Sequence, residues 1–409
     1  MKFSRHAIVA ATLSLSLMIG SAAQAQQSDA PLKIGVMTDF GSVYSDIGGA
    51  GNVEGAKMAI EEFGGTMFGK PIELITADPQ MKADIAANIA RKWYEAENVD
   101  MIIDLPTSAT ALAAMEMSKR YEKIMIITDA ASSDITGKSC SPYTAHWTYD
   151  TYSNAHTVGS AVVKQGGDSW FFITADYLFG HSIERDVSEV VKAAGGKILG
   201  SARHPLNTSD FSSFLLQAQA SKAKIIGLAN AGGDTVNAIK QAAEFGITSG
   251  GQKLASLLMF ISDVHALGLK TAKGLNLTET FYWDLNDGTR AFSKRFQDRM
   301  KNHAMPTMVQ AGVYSSLLHY FKALDSLGEN PHDGAKVVAK MKTMPTDDPL
   351  FGKGSIEPNG RVLHPAYLFE VKSPSDSKGP WDYYKLVATI PANEAFTPLD
   401  KSTCPLLKK

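Results

Sequence analysis

Two short segments, Leu105-Pro-Thr-Ser-Ala-Thr110 and Asp129-Ala-Ala-Ser-Ser133, place small hydroxyl side chains where helices are expected to begin. Free N–H groups and the positive dipole end at a helix start favour a carboxylate or a similar anion. Thr107, Ser108, Ala131 and Ser132 are the candidates from these loops. Ser, Thr and Asp are also the preferred N-caps, so capping alone is the competing reading for either segment. A third segment, Asp39-Phe-Gly-Ser-Val-Tyr-Ser-Asp-Ile-Gly-Gly49, adds amides and hydroxyls, with Tyr44 as its aromatic candidate. Further along, Ala175-Asp-Tyr-Leu-Phe-Gly180 and Asn230-Ala-Gly-Gly-Asp234 contribute Tyr177, Phe179 and Asn230. Aromatic and amide groups suit a ligand with an apolar or planar body and a polar end. Trp147, in His146-Trp-Thr-Tyr149, is read either as crevice lining or as part of a packed hinge.

Catalytic and cofactor signatures fail. Gly49-Ala-Gly-Asn-Val-Glu54 begins like a dinucleotide fingerprint, but Glu54 occupies the place of the third glycine, which permits close helix–strand packing. The chain has no Walker loop, no G-x-S-x-G elbow and no H-E-x-x-H, and no CxxC or His/Cys cluster points to a metal. No cofactor, metal or catalytic residue is expected.

The elements that hold these loops follow from hydrophobic periodicity. Apolar β-branched runs alternate with amphipathic helices, the pattern of parallel sheets covered on both faces. Strands are expected at 32–38, 72–77, 100–104 and 124–128, separated by helices at about 51–63, 82–96 and 108–121. A second series begins with a helix at 152–165. It continues through strands 170–174, 198–203, 225–229 and 254–260, with helices at 181–194, 211–220 and 235–245 between them. Two doubly wound lobes fit this better than one wide sheet. A strand at 275–283 precedes helices at about 288–303, 309–326 and 333–342, which must return to an existing sheet. Short strands around 366–371 and 383–388 read as a hinge-region appendage.

Residues 1–25 read as a secretory signal, with Lys2 and Arg5 at the start, an apolar run from Ala7 to Ile19 and Ala23-Gln24-Ala25 as the cleavage site. The run is too short to span a bilayer, and the absence of a cysteine after the cleavage site argues against a lipid anchor. The product is expected free in the periplasm. Hydrophobic residues at 44% and charged residues at 20% are ordinary for a globular protein. A net charge of −2, or two units lower once Lys2 and Arg5 are removed, argues against nucleic acid or an anionic membrane as partner. Cys140 and Cys404 are the only cysteines and are expected to pair in an oxidising compartment, with two unrelated buried thiols as the alternative.

Read in order, Ile34-Gly-Val-Met-Thr-Asp39, Gly48 to Ile60, Pro106-Thr-Ser-Ala-Thr110, Asp176-Tyr-Leu-Phe-Gly-His-Ser182 and Gln241-Ala-Ala-Glu-Phe-Gly246 carry a resemblance. The chain resembles type I solute-binding proteins of ABC importers, close to the leucine/isoleucine/valine-binding proteins. The resemblance covers nearly all of the mature chain. It implies an α/β fold of two doubly wound lobes joined by three hinge crossings, a Venus-flytrap that closes on its ligand. The first lobe would comprise 31–149 plus about 284–360, and the second 150–283 plus about 361–395 with the hinge, leaving 396–409 as a tail. It implies delivery to a membrane permease energised by a separate ATPase, with no catalysis, and a monomer is expected.

In that family the ligand carboxylate is held by hydroxyls and amides of the first lobe, which match Thr107, Ser108, Ala131 and Ser132 here. Amino-acid binders also supply an acidic group from the second lobe for the α-ammonium. Phe260 falls near that place, so Asp234 or Asp263 would have to substitute. The tail, with His364-Pro-Ala-Tyr-Leu-Phe-Glu-Val-Lys372 and Cys404-Pro405, resembles the subgroup that includes binders of aromatic acids. The expected ligand is a hydrophobic carboxylate, aromatic or branched, amino acids included. The rival readings are a ligand-sensing module for a membrane receptor and a periplasmic α/β enzyme. A DNA-binding regulator is disfavoured, since no N-terminal helix-turn-helix is present.

Overall fold

In the computed structural model the described residues are 30–408, so the signal read at residues 1–25 lies outside them. The first sheet has six strands in the order Thr66–Met67, Lys70–Ala77, Leu32–Met37, Met101–Asp104, Ile124–Ile127 and Thr144–His146. All neighbours are parallel except the edge hairpin made by Thr66–Met67 with Lys70 and Pro71. Every residue of Met101–Asp104 and Ile124–Ile127 is buried, as parallel strands covered on both faces require. The two-residue period sorts their side chains. Met37, Ile102 and Ile127 pack with Trp93 and Met115 from helices Ala83–Glu95 and Ser108–Tyr121. Val36, Ile103 and Ile126 point the other way, into the core shared with Ala59 of helix Gly49–Phe63 and Leu317 of helix Met308–Leu327.

The second sheet orders Lys253–Ser256, Ile225–Ala229, Ser169–Ala175 and Lys197–His204, all parallel, and begins the second lobe. An antiparallel sheet of Asn276–Glu279, Ala366–Val371 and Tyr384–Ile390 packs onto it, with Leu277, Phe369 and Tyr384 in the same core as Ile173 and Ile226. Between Glu279 and Ala366 the chain returns to the first lobe. There Met308–Leu327 lies along Gly49–Phe63, with Gly51 and Gly55 so close to Gln310 that a Cβ on either would stand 2.2 or 2.8 Å from it. Gly51 of the incomplete fingerprint thus serves helix-on-helix packing, whereas Gly49 has a φ of 50° at the turn into its helix.

Several elements depart from expectation. The strand expected over 254–260 stops at Ser256, because Phe260 begins helix Ile261–Leu267 and the apolar run between them is a buried loop. The strand expected over 275–283 is confined to Asn276–Glu279. The single helix expected over 152–165 contains a wider turn at Ala155–Gly159, between Thr151–Asn154 and Ser160–Lys164. Strand Thr144–His146 and the small sheet of Thr346–Asp348, Gly352–Ile356 and Val362–Leu363 were not read from the sequence. Cys140 and Cys404 are bonded, with Cα atoms 5.6 Å apart across 264 positions, tying the end of the chain to the first lobe. Closing so long a loop restricts the unfolded chain and commonly stabilises by about 2–4 kcal/mol.

Candidate ligand-binding site

The carboxyl ends of the two parallel sheets face each other across a narrow cavity of about 10 Å³, room for about one water molecule. Crevices of this kind are where doubly wound folds bind ligands. From the first lobe its wall takes Tyr44, Pro106, Thr107, Ser108, Asp129 and Ala131, with Tyr149 from the crossing. The second lobe adds Tyr177, Phe179, Ala231, Leu258 and Phe260. No Lys, Arg or His stands among these lining residues.

Unusual backbone geometry shapes the polar wall. Asp104 and Leu105 have φ of 92° and 71°, a region costly for residues with a Cβ. Surrounding bonds hold them there. Leu105 donates its N–H to the Met37 carbonyl at 2.9 Å and accepts that of Ala130 at 3.0 Å. The Asp104 carboxylate accepts from Asn52 Nδ2 at 2.5 Å and Thr128 Oγ1 at 3.0 Å. The turn leads the chain through Pro106 into helix Ser108–Tyr121, whose first amides have no intrahelical acceptor. Thr107 caps that helix, its Oγ1 accepting the Thr110 N–H at 3.1 Å. Ser108 Oγ accepts the Ser132 N–H at 3.0 Å, which leaves its own proton to donate. Thr107 is therefore a cap and a wall residue at once. Asp39 folds the neighbouring loop by accepting the N–H groups of Gly41, Ser42 and Tyr44, which places Tyr44 on the wall.

Asp129 is the most unusual group present. It is 5% exposed, and its Oδ2 has no hydrogen-bond partner. Tyr149 donates its hydroxyl to the Asp129 carbonyl at 2.6 Å and reaches Oδ1 only at 3.4 Å. Burial pushes the Asp129 carboxyl well above the usual range, and the charges of Asp104 and Asp39 add to the effect. Burial also raises Asp104 to about 6 against the opposing bonds from Thr38, Asn52 and Thr128.

The lobes touch around the cavity. The hydroxyls of Tyr44 and Tyr177 are 2.7 Å apart, and those of Ser132 and Ser182 are 2.8 Å apart. Ser133 donates to Asp186 at 2.9 Å, and Arg185 pairs with Asp134 at 3.3 Å. Gly233 donates its N–H to the Val43 carbonyl at 3.0 Å. At neighbouring Gly232, φ is 56° and a Cβ would stand 2.3 Å from that carbonyl, so only glycine allows this approach.

Of the residues singled out from the sequence, the fold brings Tyr44, Thr107, Ser108, Ala131, Tyr177 and Phe179 to the cavity. The other four lie elsewhere. Ser132 is taken up by Ser108 and by the cross-lobe contact with Ser182. Trp147 is buried beside His319 and donates to Ser315 Oγ at 3.1 Å, which makes it core. Asn230 donates to His204 and accepts from Thr235, fixing the start of helix Gly232–Glu244. Asp234 accepts the Asn207 N–H at 3.2 Å, and burial raises it to about 7. Asp129, Tyr149 and Leu258 were not chosen from the sequence, although Asp129 and Tyr149 belong to segments already singled out. Phe260, which the resemblance put near the ammonium position, does line the cavity, its ring 5.9 Å from that of Tyr149.

A family model described as periplasmic binding protein matches residues 31–379. The chain belongs to that family. A periplasmic binding protein from Burkholderia mallei is 52% identical and covers 92% of this chain and 99% of its own, with a TM-score of 0.89. A branched-chain amino acid ABC transporter periplasmic ligand-binding protein from Burkholderia xenovorans LB400 is 41% identical, with coverages of 92% and 100% and a TM-score of 0.81. At 23% identity, an ABC transporter solute-binding protein from Rhodopseudomonas palustris BisB5, solved with 3,4-dihydroxybenzoic acid, shares the fold at a TM-score of 0.79 with coverages of 91% and 99%. Among curated proteins, none matches the chain. The fold of this periplasmic binding protein is thus the two-lobed type I architecture. Among its described residues no helix is long and apolar enough to cross a membrane.

Proposed function

We propose that this periplasmic binding protein is the capture component of an ABC importer. It acts in the periplasm after removal of the leader, as a monomer and without catalysis. It takes a small hydrophobic carboxylate, a branched-chain or other apolar amino acid or an aromatic acid, and presents it to a permease driven by an ATPase subunit. The lobes divide as read from the sequence, with the hinge between them.

One observation carries this reading. An interlobe cavity is walled on one side by a capped helix start bearing Thr107 and Ser108, and on the other by Tyr177, Phe179, Leu258 and Phe260. The polar wall suits a carboxylate and the aromatic wall an apolar body. A similar family architecture in proteins named for branched-chain amino acids and solved with aromatic acids supports the same ligand class.

A thermal-shift screen of amino acids, aromatic acids, short amides and ureas tests this. A ligand that binds only the folded form raises the melting temperature as RT ln(1 + [L]/Kd). The tightest hit should be a small carboxylate, and solution scattering should show the mature protein compacting around it. Full-strength binding without compaction would overturn the closing-lobe reading.

A further inference from the structure

The chain leaves the second-lobe sheet at Ile390, the end of strand Tyr384–Ile390, and is bonded back to the first lobe through Cys404 and Cys140. Among the described residues, every hydrogen bond made by residues 391–408 stays within that segment. Two anchors hold it instead. Near the hinge, Ala395 and Phe396 are buried against Ala366 and Leu363. The Phe396 ring meets that of His364 edge-on at 5.4 Å and lies under the Arg361 guanidinium at 4.6 Å. Arg361 donates to the Tyr149 carbonyl at 3.0 Å, so Phe396 sits where two lobe crossings meet. The other anchor is the disulfide. Cys140 closes the segment whose Ser133 and Asp134 reach Asp186 and Arg185 across the interface. Bonds from the Gly137 N–H to the Ser133 carbonyl at 3.0 Å and from the Ser139 N–H to the Asp134 carbonyl at 2.9 Å make that segment one unit.

Building on the closing-lobe reading above, we propose that residues 391–404 are a strap between the lobes that limits how far they open and so strengthens ligand binding. Phe396 and Cys404 are its positioning residues. No residue between these two anchors is buried, and a turn at Leu399–Lys401 shortens the span. Fully extended, a segment of that length reaches at most about 29 Å. Wider arrangements of the lobes are excluded, while the closed arrangement is untouched. A ligand held by both walls binds the closed arrangement. Excluding open arrangements therefore raises the binding-competent fraction and lowers the apparent Kd.

Solution scattering on the ligand-free mature protein tests the strap, with circular dichroism to verify folding. The double variant Cys140→Ser with Cys404→Ser should have a larger radius of gyration than wild type. Phe396→Ala, which frees a longer strap, should give a smaller rise, and adding it to the cysteine pair should give none beyond theirs. Phe396→Leu, which keeps an apolar anchor, should match wild type. A folded cysteine variant with the wild-type radius overturns the strap, even if its melting temperature falls. If that variant does not fold, a wild-type radius in Phe396→Ala overturns it. Additive widening overturns the single strap shared by both anchors. Leucine, phenylalanine, benzoate and 4-hydroxybenzoate serve as calorimetric probes. Any that binds wild type should bind the cysteine variant about threefold or more weaker, as a fall of the competent fraction to a third requires. A widened variant with unchanged Kd overturns the link to affinity. If no acid in this set or in the wider screen binds, the receptor reading falls and the scattering alone decides the strap.

Discussion

The two walls of the cavity differ in chemistry and in how they are held. The first-lobe wall is polar and over-determined: Asp104 and Leu105 keep positive φ inside a net of bonds to Met37, Asn52, Thr128 and Ala130. The second-lobe wall is apolar, with Phe179, Leu258 and Phe260 buried as extensions of a core. A rigid polar wall has its donors and acceptors placed before the ligand arrives, so little ordering is left to binding. An apolar wall is non-directional and tolerates variation in ligand shape. The first lobe should therefore select the charged head, and the second should set how large an apolar body is accepted.

The largest expected effect comes from setting the walls against each other. Thr107→Ala with Ser108→Ala should weaken every carboxylate that binds. A lost hydrogen bond to a charged group is worth roughly 1.5–3 kcal/mol, or about tenfold or more in Kd. Loss of the Thr107 cap should also lower stability by about 1 kcal/mol. Phe179→Ala should instead penalise ligands in proportion to their apolar area, at about 25 cal/mol per Å². Calorimetry over acids of increasing size separates the two slopes. Parallel losses in both variants would abolish the division of labour, and an unchanged Kd in the double variant would leave Thr107 and Ser108 as scaffold.

A smaller effect is expected where the walls meet. Tyr44→Phe removes one hydroxyl of the 2.7 Å pair with Tyr177, a contact that exists only with the lobes together. The change should cost about 0.5–1.5 kcal/mol, a several-fold rise in Kd, together with reduced compaction in solution scattering. A variant with full compaction and full affinity would show that closure rests on the serine and Arg185 contacts instead.

The smallest effect concerns the second-lobe acid that the fold keeps off the wall. Burial raises Asp234 to about 7 in the folded protein, against 3.8 for the free group. As pH rises from about 4 to about 7 the unfolded chain releases this proton first, so the group progressively lowers stability and its effect levels off above pH 7. Asn at this position lacks that dependence. The unfolding free energy of Asp234→Asn relative to wild type, read by denaturant titration at each pH, should therefore move in the variant's favour between pH 5 and pH 8, by on the order of 1 kcal/mol. Taking the difference cancels the opposite trend of His364, which burial holds neutral down to about 4. A pH-independent difference would place Asp234 in contact with water or with a cation.

Local pattern carried much of this molecule. The parallel strands were legible because each is a short, continuously apolar run between amphipathic helices, and the loops at their carboxyl ends followed from that order. Thr107, Ser108, Tyr177 and Phe179 were found by that route. Strand Thr144–His146 was not, since three residues with one histidine carry no periodicity, and the turn to a helix at Phe260 was masked by an unbroken apolar run from Leu257 to Ile261.

What the sequence alone determined was the alternation of elements, and hence which loops share an edge. Which members of each loop face the ligand was decided only in three dimensions. Trp147 and Tyr149 are two residues apart, yet one donates to Ser315 in the core and the other lines the cavity, because the chain is turning between sheets where no regular period applies. Asp129 and Asp234 look alike in sequence, each beside small residues after a strand. Asp129 lines the cavity whereas Asp234 lies off it and accepts the Asn207 amide, a difference set by long-range neighbours that no local pattern encodes.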